Sequence, residues 1–110
     1  MVKIKRFDIC LVNLDPTVGS EIKKTRPAIV ISPDSMNLSR LATVIIAPLT
    51  STIRTLFPTR VKTVFQEREG QIALDQLRAI DRSRIIKKLG EIDGDSSNAI
   101  LKVLSIMFEK

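Results

Sequence analysis

Short apolar runs rich in β-branched residues follow one another along most of this chain, and they constrain its fold more than any other feature. They occupy residues 8–14, 27–32, 42–48, 61–65, 71–75 and 77–80, with a further candidate at 85–91. The run at 61–65 alternates as a half-buried strand should, and residues 66–70 are predicted to form a hairpin turn that ends in Gly70. Runs of this length, bounded by proline, glycine and polar turn residues, are typical of β-strands. The run at 42–48 is almost continuously apolar, which indicates a central strand. The pattern therefore predicts a mainly β domain built from at least five short strands.

The final segment has a different period. Apolar residues there recur at the spacing of one helical face, at Ile100, Val103, Leu104 and Met107. Residues 93–96 offer side chains that cap helix N-termini. We therefore expect a helix over 96–108 that packs one face on the sheet. Together with the long connection at 49–60, these elements predict a small, partly open β-barrel with a C-terminal helix.

The length and the apolar pattern indicate one soluble domain. The chain has 110 residues, 44% of them hydrophobic, so we treat 1–110 as a single domain. Its longest apolar runs, 28–31 and 44–47, are far shorter than the roughly 20 residues that cross a bilayer. The first six residues carry charge, but the apolar segment of a signal peptide does not follow them. These features predict a cytoplasmic protein that has no membrane partner.

Missing residue types exclude several chemistries. The chain has no histidine and one cysteine, so catalysis by a histidine base is excluded and a Cys/His metal site is not expected. Cys10 lies within a predicted strand, where a buried, inert thiol is expected. Residues 93–98 resemble the start of a calcium loop, but Asn98 stands where that loop needs glycine, so a helix cap is expected instead. Glycine-rich phosphate loops are also missing from the sequence, and we expect neither a metal nor a cofactor.

The charge of the chain indicates an anionic partner. Eighteen lysines and arginines against 12 acidic residues give a net charge of +6. Such a balance is typical of proteins that bind nucleic acid, although it can also serve only solubility. Four phenylalanines are the only aromatic residues, which is few for a protein that stacks on bases. If nucleic acid is the partner, phosphate contacts should carry most of the binding.

The polar segment between the first two predicted strands is the most informative part of the sequence. It contains Glu21, Lys23, Lys24 and Arg26, and Arg26 stands directly before Pro27 at the entry to a strand. A stiff backbone there would hold the guanidinium in place, and a fixed arginine suits phosphodiester recognition. The plain alternative is a solvated loop in which Arg26 pairs with Glu21.

Several motifs give the chain a family resemblance. The string Leu-Asp-Pro-Thr-x-Gly-Ser-Glu at 14–21, the segment 26–33 that begins Arg-Pro, and Pro-Leu-Thr-Ser at 48–51 resemble the MazF/PemK toxin endoribonucleases. The segments 70–76 and 80–81 fit the next block of that family, and the match runs in order from about 8 to 108. The resemblance implies an SH3-like, partly open β-barrel with a C-terminal helix. It also implies a homodimer that cuts single-stranded RNA without a metal and that a cognate antitoxin neutralises.

The resemblance assigns roles to residues of this chain. Arg26, Thr50 and Glu21 match catalytic positions. The expected substrate-binding residues are Asp75, Ser51, Lys24, Arg54 and Gln76.

The absence of histidine fits a particular chemistry, because RNA carries its own nucleophile. The 2′-hydroxyl would attack the phosphorus and leave a 2′,3′-cyclic phosphate and a 5′-hydroxyl. Arg26 would stabilise the charge of the phosphorane, Thr50 would bind a non-bridging oxygen, and Glu21 or Asp75 would be the base. Two alternatives stay open. One is a non-enzymatic toxin of the same fold that inhibits a DNA gyrase, and the other is an RNA-binding module without catalysis.

Overall fold

Seven antiparallel strands form one curled sheet in the computed structural model, which describes residues 3–110. The strands are β1 Asp8–Asn13, β2 Thr25–Val30, β3 Thr43–Thr50, β4 Arg60–Phe65, β5 Arg68–Ala73, β6 Arg78–Asp81 and β7 Ile85–Glu91. The helices are the four-residue α1 Asp34–Asn37 and the C-terminal α2 Gly94–Met107. Single 3₁₀ turns occupy Leu74–Gln76 and Arg82–Arg84. No helix among residues 3–110 is long and apolar enough to cross a membrane.

Strand β3 is the centre of the sheet. The strand order is β4-β5-β3-β2-β1-β7, and β6 pairs with β3 outside this path. The first half of β3, Thr43–Ile46, pairs with β6, whereas its last residues, Leu49 and Thr50, pair with β5. Because different strands pair with its two halves, the sheet curls into a half-barrel. The predicted mainly β, partly open barrel with a C-terminal helix is confirmed.

The central strands are buried on both faces, which explains their nearly continuous apolar runs. Alternate residues enter two separate apolar clusters. The first contains Val12, Ala28, Val30, Val44, Ile46 and Ile80, and the second contains Ile29, Ile31, Ala47, Val61, Ile72, Leu74 and Ile100. Helix α2 covers the second cluster with the apolar face that the sequence predicts. Ile100 on this face is fully buried, and Val103, Leu104 and Met107 are partly buried.

Helix α2 begins two residues before its predicted start. The Asp93 carboxylate accepts a hydrogen bond of 3.0 Å from the Ser96 backbone N–H and caps the helix. The sequence showed several capping candidates side by side, and the structure uses the first of them. The expectation of a helix cap at this segment is confirmed.

The hairpin of β4 and β5 differs from its predicted form. The prediction placed a turn over 66–70 and a strand over 71–75, but the turn contains only Gln66 and Glu67, whose φ angles are 52° and 64°. Gly70 therefore lies inside β5, opposite Thr63, and residues 74–76 form a 3₁₀ turn. The sequence lacks the Asn-Gly pair that marks such a short turn, so the prediction placed the glycine of the turn at Gly70.

Candidate active site

Arg26 and Thr50 lie in one open cleft of about 670 Å³. Both are strand residues, because β2 begins at Thr25 and β3 extends to Thr50, beyond the predicted limits of 27–32 and 42–48. The β2–β3 pairing ends at Ala28 and Pro48, and Arg26 and Thr50 each lie two residues beyond that pair, at the same end of the two strands. The β4–β5 hairpin supplies the other wall, lined by Thr63, Phe65, Gln66, Arg68, Glu69 and Gly70.

Arg26 is held on one side and free on the other. Its Nε donates a 2.8 Å hydrogen bond to the Lys23 carbonyl, and its backbone pairs with Val12 of β1. Within residues 3–110, no carboxylate lies within ion-pairing distance of this guanidinium. Glu21 does not pair with it, since its Oε1 accepts from the Val18 N–H at 2.6 Å. A half-buried arginine without an acidic partner is suited to bind an anion in the cleft.

Thr50 presents a hydroxyl whose proton is available. Its side chain is 8% exposed, and Oγ1 accepts a 3.1 Å hydrogen bond from the Thr52 N–H. This contact uses the oxygen as an acceptor and leaves the O–H free to donate. Gly70 packs directly against Thr50, because a Cβ at position 70 would lie 2.8 Å from the Thr50 carbonyl oxygen. The close approach of β5 thus fixes the backbone that carries Thr50.

Ser51 lines the same cleft, but two other expected substrate-binding residues lie outside its lining. Lys24 is exposed and adopts φ 73°, with its backbone N–H bonded to Asp15 Oδ1 at 3.1 Å. Arg54 is exposed on the connection after β3, where its backbone meets the side chain of Gln71.

The remaining predicted residues gather in a neighbouring cleft of about 350 Å³. Glu21, Asp75 and Gln76 line it together with Arg78 and with Pro48, which lies two residues before Thr50 on β3. The structure therefore divides the predicted site into two clefts that share a strand, rather than bringing all its members around one point.

Asp75 is committed to an ion pair. Its Oδ1 lies 2.8 Å from Arg60 Nε and its Oδ2 lies 3.2 Å from Arg60 Nη2, while the Thr59 hydroxyl donates at 2.9 Å. Partial burial alone would raise the pKa of this carboxyl, but the hydrogen bonds from Arg60 and Thr59 outweigh it and the net pKa is lowered. A carboxylate with this environment is a poor proton acceptor.

Gln76 holds the segment before β2. Its Oε1 accepts from the Ile22 N–H at 2.5 Å, and its Nε2 donates to the Ser20 carbonyl at 3.2 Å. The amide is thus bound to the loop that carries Glu21, and the side chain fixes that loop beside the second cleft.

Sequence reasoning missed the contribution of the hairpin to the Arg26 cleft. Glu69 is the carboxylate that lines this cleft, and Thr63 and Phe65 come from the facing strand. The alternation at 61–65 predicts a strand and places 63 and 65 on one face of it. The position of that face opposite Arg26 depends on long-range pairing, which local patterns do not contain.

Cys10 is buried, as expected. Burial, and next the neighbouring Asp8 carboxylate, raise the pKa of its thiol to about 11. The thiol is therefore protonated and unreactive at neutral pH.

Comparison with known proteins agrees with this architecture. The family model of the PemK-like, MazF-like toxin of type II toxin–antitoxin systems matches residues 5–108. Endoribonuclease EndoA of Bacillus subtilis is 34% identical over 108 residues, covering 94% of this chain and 92% of the relative.

Solved structures show the same fold. MazF from Deinococcus radiodurans superposes with a TM-score of 0.84 at 24% identity, over the whole of both chains. A mycobacterial endoribonuclease in complex with its cognate antitoxin gives a TM-score of 0.77 at 22% identity, over 94% of this chain and 92% of that one. The match over nearly all of its residues places this chain in the PemK-like, MazF-like family of toxins of type II toxin–antitoxin systems.

Proposed function

We propose that this chain is a toxin endoribonuclease that cuts single-stranded RNA without a metal, using the 2′-hydroxyl of its substrate as the nucleophile. The observation that carries the proposal is the shared cleft of Arg26 and Thr50, in which the guanidinium has no acidic partner among residues 3–110. The identity to Bacillus EndoA, which is named an endoribonuclease, supports the class of reaction.

Arg26 and Thr50 supply the electrostatic part of the reaction. The ribose O2′ attacks the adjacent phosphorus and the bond from phosphorus to O5′ breaks, with a dianionic phosphorane between. Arg26 faces that developing charge, and the free Thr50 O–H donates to a non-bridging oxygen. Donors that are held in place before the reaction stabilise such charge without reorganisation. The products are a 2′,3′-cyclic phosphate and a 5′-hydroxyl.

A carboxylate accepts the proton of the 2′-hydroxyl, and the leaving O5′ takes up a proton from solvent water in the open cleft. Glu69 lines the cleft of Arg26 and Thr50, whereas Glu21 lines the neighbouring cleft and uses Oε1 to hold the Val18 N–H. A general base must reach the proton that it removes, so we assign this role to Glu69. Glu21 then orders its own loop. The RNA cleavage rates of the Glu69→Gln and Glu21→Gln variants decide which of the two carboxylates is the general base.

Binding of RNA relies on charge. The net charge of +6 favours a polyanion, and the same charge suits an acidic, partly disordered antitoxin chain. We further propose that the toxin acts as a homodimer in the cytoplasm, where messenger RNA is translated. Light scattering after size exclusion, alone and with the antitoxin, tests both associations.

The direct test is cleavage of a long single-stranded RNA in excess EDTA, with mapping of the cut ends. Arg26→Ala should lower the rate about 10²–10³-fold, which is typical for the loss of one charge-stabilising donor. Arg40→Ala is the matched control, because Arg40 is exposed and lies outside the lining of both clefts.

Discrete cuts that carry cyclic phosphate and 5′-hydroxyl ends, lost in folded Arg26→Ala, would establish the reaction. Unchanged cleavage by folded Arg26→Ala would refute it. If the folded wild-type protein cuts none of several RNAs, inhibition of a DNA gyrase becomes the next assay.

A further inference from the structure

Gln71 is a buried polar residue that the proposed reaction does not use. It lies on β5, is only 2% exposed, and stands directly opposite Thr50 in the β3–β5 register. A buried amide must find hydrogen-bond partners or destabilise the fold. The partners of Gln71 lie on the connection from 51 to 59.

Both ends of the Gln71 amide bind the same residue of that connection. Oε1 accepts from the Arg54 backbone N–H at 3.0 Å, and Nε2 donates to the Arg54 carbonyl at 3.4 Å. One rigid side chain thus fixes the two peptide groups on either side of the Arg54 Cα. This double contact forms the Gln71 clamp.

The clamp holds the middle of an otherwise exposed segment. Residues 51–58 are all exposed. The Thr52 N–H bonds to Thr50 at the start of the connection, and Arg60 pairs with Asp75 at its end. Among residues 3–110, Gln71 is the one residue outside the connection whose side chain hydrogen-bonds to the backbone of residues 53–58. Without the clamp, this stretch would be tied only at its two ends.

Arg54 is the cation that the clamp places. It follows Thr50 by four residues, its side chain is exposed, and within residues 3–110 no acidic group pairs with it. An arginine whose backbone is fixed beside the cleft loses less conformational entropy when it binds a phosphate than one on a mobile loop. Its exposed guanidinium is available to a phosphate of an RNA strand that is bound at the cleft.

We propose that Gln71 is a positioning residue for substrate binding: its clamp on Arg54 sets the contact between that arginine and a phosphate of the RNA strand. The inference rests on the proposed endoribonuclease function. The clamp makes no contact with the reacting atoms, so it acts on binding and on the choice of cut site rather than on the chemical step.

The experiment is a double-mutant cycle on RNA cleavage, with Gln71→Leu, Arg54→Ala and the double variant. Gln71→Leu keeps the size of the side chain and removes both hydrogen bonds. Each single variant should raise KM roughly fivefold to tenfold, the size of one charge-assisted contact, with kcat changed less than about twofold. The double variant should be no worse than either single variant, because the two residues form one contact.

Three further readouts separate positioning from a purely structural role. Hydrogen exchange at the Arg54 amide should be slow in the wild type and fast in Gln71→Leu. The slope of binding against salt, measured in an Arg26→Ala background that cuts about 10²–10³-fold more slowly, should fall by about 0.7 in each single variant. Gln71→Glu, which keeps the acceptor for the Arg54 N–H, should recover part of the affinity. Gln71→Met, which removes both hydrogen bonds without burying a charge, serves as the second variant if Gln71→Leu does not fold.

If folded Gln71→Leu cleaves RNA with the KM and the cut pattern of the wild type, this inference is overturned and the proposed function is not. Additive losses in the double variant would do the same. Absence of cleavage by the folded wild type would instead overturn the proposed function, and this inference with it.

Discussion

The helix–sheet contact gives the sharpest test of the fold, through Ile100→Ala. Ile100 is the fully buried residue of α2 and packs in the cluster with Ile72 and Leu74. The change removes three carbon atoms, which corresponds to about 2.4 kcal/mol of transfer free energy at about 0.8 kcal/mol per methylene. The cavity left behind adds to this, so we expect a loss of about 3–4 kcal/mol, within the range known for such truncations.

The matched control is Ile106→Ala, the same deletion on the same helix. Ile106 is 60% exposed, so its loss should change the free energy of unfolding by less than about 0.5 kcal/mol. Both variants gain the same helix propensity from alanine, and this gain cancels in the comparison.

The assay is urea unfolding followed by far-UV circular dichroism, because the chain has neither tryptophan nor tyrosine as a fluorescent probe. All proteins are compared at one concentration and again at a twentyfold higher one, which separates packing from association. A loss below about 1 kcal/mol for Ile100→Ala at both concentrations would refute the packing described for α2.

Three other perturbations follow from local geometry. Gly70→Ala must push β5 away from the Thr50 carbonyl, so it should lower both Tm and the RNA cleavage rate; an alanine variant with wild-type values would contradict the close approach. Asp93→Ala should lower Tm at pH 7 by removing the cap of α2, whereas Asp93→Asn, which caps equally well, should not. The hydrogen bonds from Ser96 lower the pKa of Asp93, so the wild-type cap is complete above the ordinary aspartate pKa and is lost as the pH falls through the lowered value. The Tm of the wild type should then drop below that of Asp93→Asn as the pH falls below the ordinary aspartate pKa. The Cys10 thiol, with its pKa near 11, should resist a thiol-specific disulfide reagent at pH 8 in the native protein and react at once in guanidinium; fast native labelling would show that the first core cluster opens.

Local patterns predicted the strands and the helix of this fold well, because the apolar pattern of each element reflects how many of its faces are buried. Residues 42–48 are almost continuously apolar because β3 is covered on both faces, and the apolar positions from Ile100 to Met107 are periodic because α2 is covered on one face. The two-residue turn at Gln66 was missed because neither of its residues favours a positive φ.

The site was less predictable, because its contacts join residues far apart in the chain. The chemical character of Arg26 was visible beside Pro27, but its alignment with Thr50 depends on the β2–β3 register. The amide of Gln76 reaches back 54 residues to Ile22, and that of Gln71 reaches 17 residues to Arg54. A glutamine in a sequence shows no sign of which backbone it will bind, so these two loop contacts appear only in the folded chain.

The pairing of β1 with β7 has a consequence for how the toxin is made. Asp8 pairs with Glu91, and Ile100 completes the second cluster, so one edge of β1 and the cover of a major core come from segments that are synthesised long after β1. At about 5–20 residues per second, the 83 residues from Asp8 to Glu91 take roughly 4–17 s to translate. Over that interval β1 can pair with β2 but not with β7, and the second cluster has no cover from α2. We therefore expect the nascent chain to cut RNA only after α2 has left the ribosome and covered the second cluster.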